Sequence, residues 1–120
     1  MKKLFLVSIL LLTAVFTFSQ TAKVDGNRET LKTAVETGVF EIYMPSSVSE
    51  EEVEKNKGYY TDYFSVSYEA ADQLATIEMI DNSAKGRRVI TRLLLSLSVK
   101  EVSVEGKNYS LNDFYNTFLQ

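Results

Sequence analysis

The sequence predicts an α+β domain in which a four-stranded antiparallel sheet is built in the order β-α-β-β-α-β and followed by one extra C-terminal helix. Two observations carry this expectation: four short runs alternate apolar and polar residues, the period of a half-buried strand, and two other stretches repeat apolar residues at helical spacing. A third is that the helix after the first strand and the terminal helix each open on a capping pattern, which fixes where they begin.

The first strand is "GVFEIYM", where Phe40, Ile42 and Met44 fall on one face and Val39, Glu41 and Tyr43 on the other. Pro45 ends it, and Ser49 with Glu52 three residues on forms a capping box, so a helix is expected from Glu50 to about Tyr60. Val53, Lys57 and Tyr60 share its inner stripe, and Gly58 weakens its last turn. "FSVSYEAADQLATIEMI" reads as a β-hairpin, with Phe64, Val66 and Tyr68 alternating in one arm and Ala75, Ile77 and Met79 in the other. "DNSAKGRRVITRLLLSL" supplies the second helix, with Val89, Leu93 and Leu97 on one line and Ile90 and Leu94 beside it. "VKEVSVEG" is the fourth strand, turning Val102 and Val104 inward. Ser110 and Asp113 then cap a short amphipathic helix carrying Leu111, Phe114, Tyr115 and Phe118. The element string is that of the ferredoxin-like arrangement, whose helices share one sheet face. The aromatic terminal helix is expected to cover part of the other face, since Phe114 and Phe118 otherwise form an exposed patch.

Before this domain, assigned to residues 38–120, lie two segments. Residues 1–19, "MKKLFLVSILLLTAVFTFS", have the basic, apolar and small-residue order of a cleavable signal peptide. The chain is therefore expected to be exported, periplasmic or secreted, and to meet the membrane through this segment alone, before cleavage. Residues 20–37 read as a polar lead-in, with a turn at Asp25-Gly26 and one short helix through Leu31 and Val35.

Composition excludes much chemistry. With no cysteine and no histidine, the chain offers no thiolate or imidazole ligand, no Ser-His-Asp triad and no Cys-His pair. A formal charge of −3, from 13 basic and 16 acidic residues, argues against nucleic acid as the partner, because that binding depends on phosphate neutralisation.

The stretch Met44-Pro45-Ser46-Ser47-Val48-Ser49, set between a strand and a helix, resembles the metal loop of heavy-metal-associated, metallochaperone-like domains. Those domains carry M-x-C-x-x-C at this junction, and Ser46 and Ser49 stand where the family has cysteines. The resemblance covers residues 38 to 106 and implies the same fold. It does not carry the metal activity over, because a serine hydroxyl ionises far above neutrality and is no soft anionic ligand. Met44, Ser46 and Ser49 are therefore degenerate metal-loop positions: Ser49 serves as a cap, Ser46 follows a proline in a turn, and Glu50, Glu51 and Glu52 complement the helix dipole.

Other constellations are weaker. Asp25, Asn27, Glu29 and Glu36 match positions of a calcium loop, but Thr30 stands where glycine is required. Tyr59, Tyr60, Tyr63 and Tyr68 suit core and rim packing better than a stacking platform. Glu41, Glu69 and Glu78 alternate with apolar residues, as solvent-facing strand positions do. Lys85, Arg87, Arg88 and Arg92 form a basic cluster at the start of the second long helix, where cations oppose the dipole. Either the C-terminal end of the preceding helix offsets them or they contact an anion or an acidic partner. No catalytic residue, resident metal or cofactor is nominated. The expected function is a non-catalytic exported binding or interaction module with a protein partner in the cell envelope. The alternatives are a carboxylate-based metal or anion binder, or an enzyme without a recognisable motif.

Overall fold

The computed structural model describes residues 20–120; the signal-peptide reading of residues 1–19 lies outside the described residues. The chain folds as α+β, with strands β1 (Thr21–Val24), β2 (Val39–Tyr43), β3 (Phe64–Glu69), β4 (Leu74–Met79), β5 (Glu101–Val104) and β6 (Lys107–Ser110). Helices α1 (Arg28–Thr37), α2 (Glu50–Lys57), α3 (Ala84–Ser96) and α4 (Leu111–Phe114) lie between and after them. A 3₁₀ turn at Gly58–Tyr60 extends α2, and a π turn at Tyr115–Leu119 continues α4.

The sheet is six-stranded and mixed, in the order β3-β4-β2-β1-β5-β6, which corrects the expected four antiparallel strands. Strands β2 to β5 and the helices between them lie where the sequence patterns place them. Two strands are added. β1 inserts between β2 and β5, pairing antiparallel to β2 at Lys23↔Tyr43 and parallel to β5 from Thr21↔Glu101 to Val24↔Val104. β6 returns along β5 through a two-residue turn in which Glu105 and Gly106 have φ of 54° and 78°, the positive pair that a type I′ hairpin requires. Residues 20–37 are thus integral to the sheet and core: Ala22, Val24, Leu31 and Ala34 are all buried. Asn27 caps α1 through its side chain, in a box with Thr30, and Gly38 closes it in the left-handed conformation at φ 78°.

One face of the sheet is apolar. Ala22, Val24, Phe40, Ile42, Phe64, Val66, Ala75, Ile77, Val102 and Val104 are buried, and the cross-strand registers put their side chains on the same side. The opposite face carries Lys23, Glu41, Ser65, Ser67, Thr76, Glu78, Glu101 and Ser103. The terminal helix does not cover that second face, contrary to expectation. The polar face needs no cover, and Phe114, Tyr115, Phe118 and Leu119 instead join the core, where the terminal turn packs against α1 and α3.

Gly86 shows how closely α3 is seated. A Cβ placed there meets the backbone oxygen of Asp81 at 2.0 Å, while the Gly86 N–H donates to the Ser83 cap at 3.1 Å. Glycine to alanine inside a helix ordinarily gains up to about 1 kcal/mol. Here Gly86→Ala is expected to lose about 1–3 kcal/mol from overpacking, measured by urea unfolding against the wild type.

Candidate functional site

The proline-led loop forms a compact turn held by the β3–β4 hairpin. The Val48 N–H donates to the Pro45 carbonyl at 3.0 Å, and the Met44 N–H donates to Gln73 O at 2.7 Å. The Gln73 side chain donates back to Pro45 O at 3.2 Å, and the Tyr68 hydroxyl donates to Val48 O at 3.3 Å. Met44 is buried, Ser46 is exposed on the turn, and Ser49 is engaged at the head of α2. Ser49 Oγ accepts from the Glu52 N–H at 3.1 Å and donates to the Glu52 carboxylate at 3.3 Å. The Ser49 hydroxyl and the Pro45 and Val48 carbonyls are therefore spent on local structure.

Burial raises the Tyr68 phenol above its ordinary value; the Gln73 side chain acts in the opposite direction and Glu50 adds to the rise. The folded chain thus holds this proton more tightly than the unfolded chain. The resulting stability is complete below the ordinary tyrosine pKa of about 10 and is lost as pH climbs through the folded value.

The basic cluster divides. Arg87 is buried and clamps the chain: its Nε donates to Leu119 O at 2.5 Å, and Nη1 donates to the carbonyl and side-chain oxygens of Asn82 at 2.8 and 2.9 Å. Lys85, Arg88 and Arg92 are exposed. Spaced at i, i+3 and i+7, they form one stripe on α3, which continues to Leu95, 59% exposed. The Arg88 guanidinium lies 4.8 Å over the Tyr115 ring, and Tyr115 in turn donates to Ala84 O at 3.2 Å. The Tyr60 hydroxyl, just past α2, donates to the Arg92 carbonyl at 3.4 Å. Among the described residues the one ion pair joins Lys57 to Glu54 at 2.9 Å, so no carboxylate pairs with this stripe.

The remaining sequence candidates do not assemble. Glu41 faces Thr76, Glu69 faces Leu74, and Glu78 lies between Ser65 and Val39. Asn27 caps α1 and Glu29 lies in its first turn. Among the four tyrosines, Tyr60 stacks on Phe64 at 5.9 Å and Tyr68 braces the loop, while Tyr59 is 71% exposed.

Sequence reasoning passed over Arg28, Lys107 and Tyr109. Two clefts, of about 500 and 260 Å³, meet at Arg28 and Phe118. No strand periodicity flags β6, but the Glu105-Gly106 turn signal was present in the sequence.

Comparison with family models, curated proteins and solved structures finds no match.

Three outcomes follow from these contacts. Arg87→Met strands the Leu119 and Asn82 acceptors and is expected to cost about 2–4 kcal/mol in denaturant unfolding. Lys85→Gln and Arg92→Gln should stay within about 0.5 kcal/mol of wild type. Tyr68→Phe removes one alkaline titration, so its loss of stability above about pH 10 should be shallower than the wild type's in melts taken across that range.

Proposed function

We propose that this chain is a non-catalytic exported binding module, a relative in plan of heavy-metal-associated domains that lacks the metal site, and that it docks an acidic protein partner in the cell envelope through α3. The observation that carries the reading is the stripe of Lys85, Arg88 and Arg92, exposed, free of ion pairs among the described residues, and continued by exposed Leu95. The cation–π contact of Arg88 with Tyr115 sets one cation in place before any partner arrives, which reduces the ordering cost of binding.

The ferredoxin-like reading is supported by the pairings. Following them strand by strand, β2 and β3 run parallel with β4 between them, and β4 and β5 run parallel with β2 and β1 between them. These are two interleaved split β-α-β units, the second widened by one strand. The loop supports the metal-free part: Met44 points into the core, and Ser49 is committed to its cap.

A decaglutamate peptide is a suitable probe for the stripe. Wild-type protein is expected to bind it more weakly as salt rises, and Lys85→Glu combined with Arg92→Glu should reduce affinity at least about tenfold. Equal binding by wild type and the double variant sinks the docking surface. Stoichiometric retention of Cu(I) or Zn(II) at micromolar protein would defeat the metal-free reading.

A further inference from the structure

We propose a second, independent site: the cleft between α1, the β5–β6 hairpin and the terminal turn binds a small organic monocarboxylate with a flat apolar body. Arg28 begins α1, and its guanidinium carbon lies 5.4 Å from the centre of the Phe118 ring. Lys107 begins β6 and places its ammonium 5.2 Å from the Tyr109 ring centre. The two rings pack edge to face at 5.1 Å. Two cations are thereby laid along one aromatic wall of the 260 Å³ cleft, beside Val104.

Neither cation has an ion-pair partner among the described residues. The acid in the same cleft, Glu105, directs one oxygen to the backbone N–H of Arg28 at 3.0 Å, so it satisfies the first turn of α1. In the smaller cleft Arg28, Lys107 and Glu105 leave one positive charge, which matches a monoanionic head group there, while Glu29, Lys32 and Glu36 line the larger cleft. The planar guanidinium suits a carboxylate because two parallel N–H groups can meet its two oxygens. The half-buried Tyr109 ring, packed edge to face on Phe118, offers a surface against which an apolar ring can lie. Beyond Arg28 and Phe118 the larger cleft, about 500 Å³, gives the body room on the scale of ordinary small-ligand sites. The ligand class is therefore an aryl monocarboxylate, recognised by its acid group and held by its ring.

Benzoate, benzyl alcohol and inorganic phosphate separate the two halves of this recognition. In NMR titrations of the protein, benzoate is expected to shift the Tyr109 and Phe118 ring signals and the Arg28 side-chain N–H saturably. Benzyl alcohol, which lacks the charge, and phosphate, which lacks the ring, should each bind at least about tenfold more weakly. Arg28→Gln should weaken benzoate about tenfold or more, and Lys107→Gln about threefold or more, with the melting temperature of Lys107→Gln unchanged. No saturable shift up to 10 mM benzoate, equal affinity for benzyl alcohol, shifts centred on α3, or unchanged affinity in both variants would each overturn the proposal. Because the decaglutamate experiment reads α3, failure of either site leaves the other standing.

Discussion

Only one face of the sheet is apolar, and most of the architecture follows from that constraint. Four helices and two short turns must share a single side, because burying Glu41, Glu78 or Lys23 under a helix would desolvate charges without partners. The terminal helix is drawn into this layer, where its aromatic residues gain burial. Crowding brings a difficulty of its own. The last turn presents carbonyl groups to the interior near the start of α3, and a buried carbonyl without a donor costs about 1–3 kcal/mol. Arg87 resolves this by bridging Leu119 O to Asn82. A cation at the second turn of a helix, unfavourable for the dipole, is retained because its hydrogen bonds to the two neighbouring segments outweigh about 0.3–1 kcal/mol of dipole opposition.

How much of this could be read from the chain depends on segment length. β2, β3 and β4 each alternate over five or six residues, enough for a period of two to stand out, and the apolar stripe of α3 spans three turns. β1 offers only Ala22 and Val24. Its strand state comes from two neighbours that pair with it, a tertiary effect that no local pattern encodes. β6 has no buried residue at all, yet the Glu-Gly dipeptide before it is a usable hairpin signal. The split of the basic cluster was also available in principle. Arg87 lies three residues before Ile90 and seven before Leu94, on the buried stripe, whereas Lys85, Arg88 and Arg92 share the outer one. Treating the four as one patch by proximity in sequence hid that distinction.

The loop from Met44 to Ser49 shows the same economy of polar groups. A loop that holds an ion keeps its ligand atoms directed at a common point, unengaged until the ion arrives. Here the hairpin tip reaches across instead. Gln73, itself in the left-handed region at φ 58°, bonds the loop at both its carbonyl and its side chain, and Tyr68 takes the Val48 carbonyl. These contacts fix the turn against β3 and β4, just before the Ser49 cap of α2. Ser49 is thus explained by the helix start it creates, and Met44 by the core it fills.

Charge on this molecule is segregated more than it is paired. The first turn of α2 holds Glu50, Glu51 and Glu52, the outer stripe of α3 holds Lys85, Arg88 and Arg92, and one ion pair is formed among the described residues. Surface ion pairs contribute about 0–1 kcal/mol each, so their scarcity costs the fold little. Segregation has a different effect. At a rise of about 1.5 Å per residue, Lys85 and Arg92 are separated by roughly 10 Å along α3, close to the screening length of about 8 Å at physiological salt. An approaching acidic segment therefore feels the cations largely together, whereas α2 repels it. An opposed pair of such surfaces orients an encounter before any contact is made, and it does so without a deep pocket. The same segregation separates the Arg28 and Lys107 cleft from α3: its cations sit on α1 and β6, Tyr109 and Phe118 contribute to its lining, and with Glu105 the smaller cleft carries a single net positive charge. The two cationic clusters therefore occupy different parts of the molecule and differ in shape, the one an open stripe on a helix and the other a cleft beside two rings.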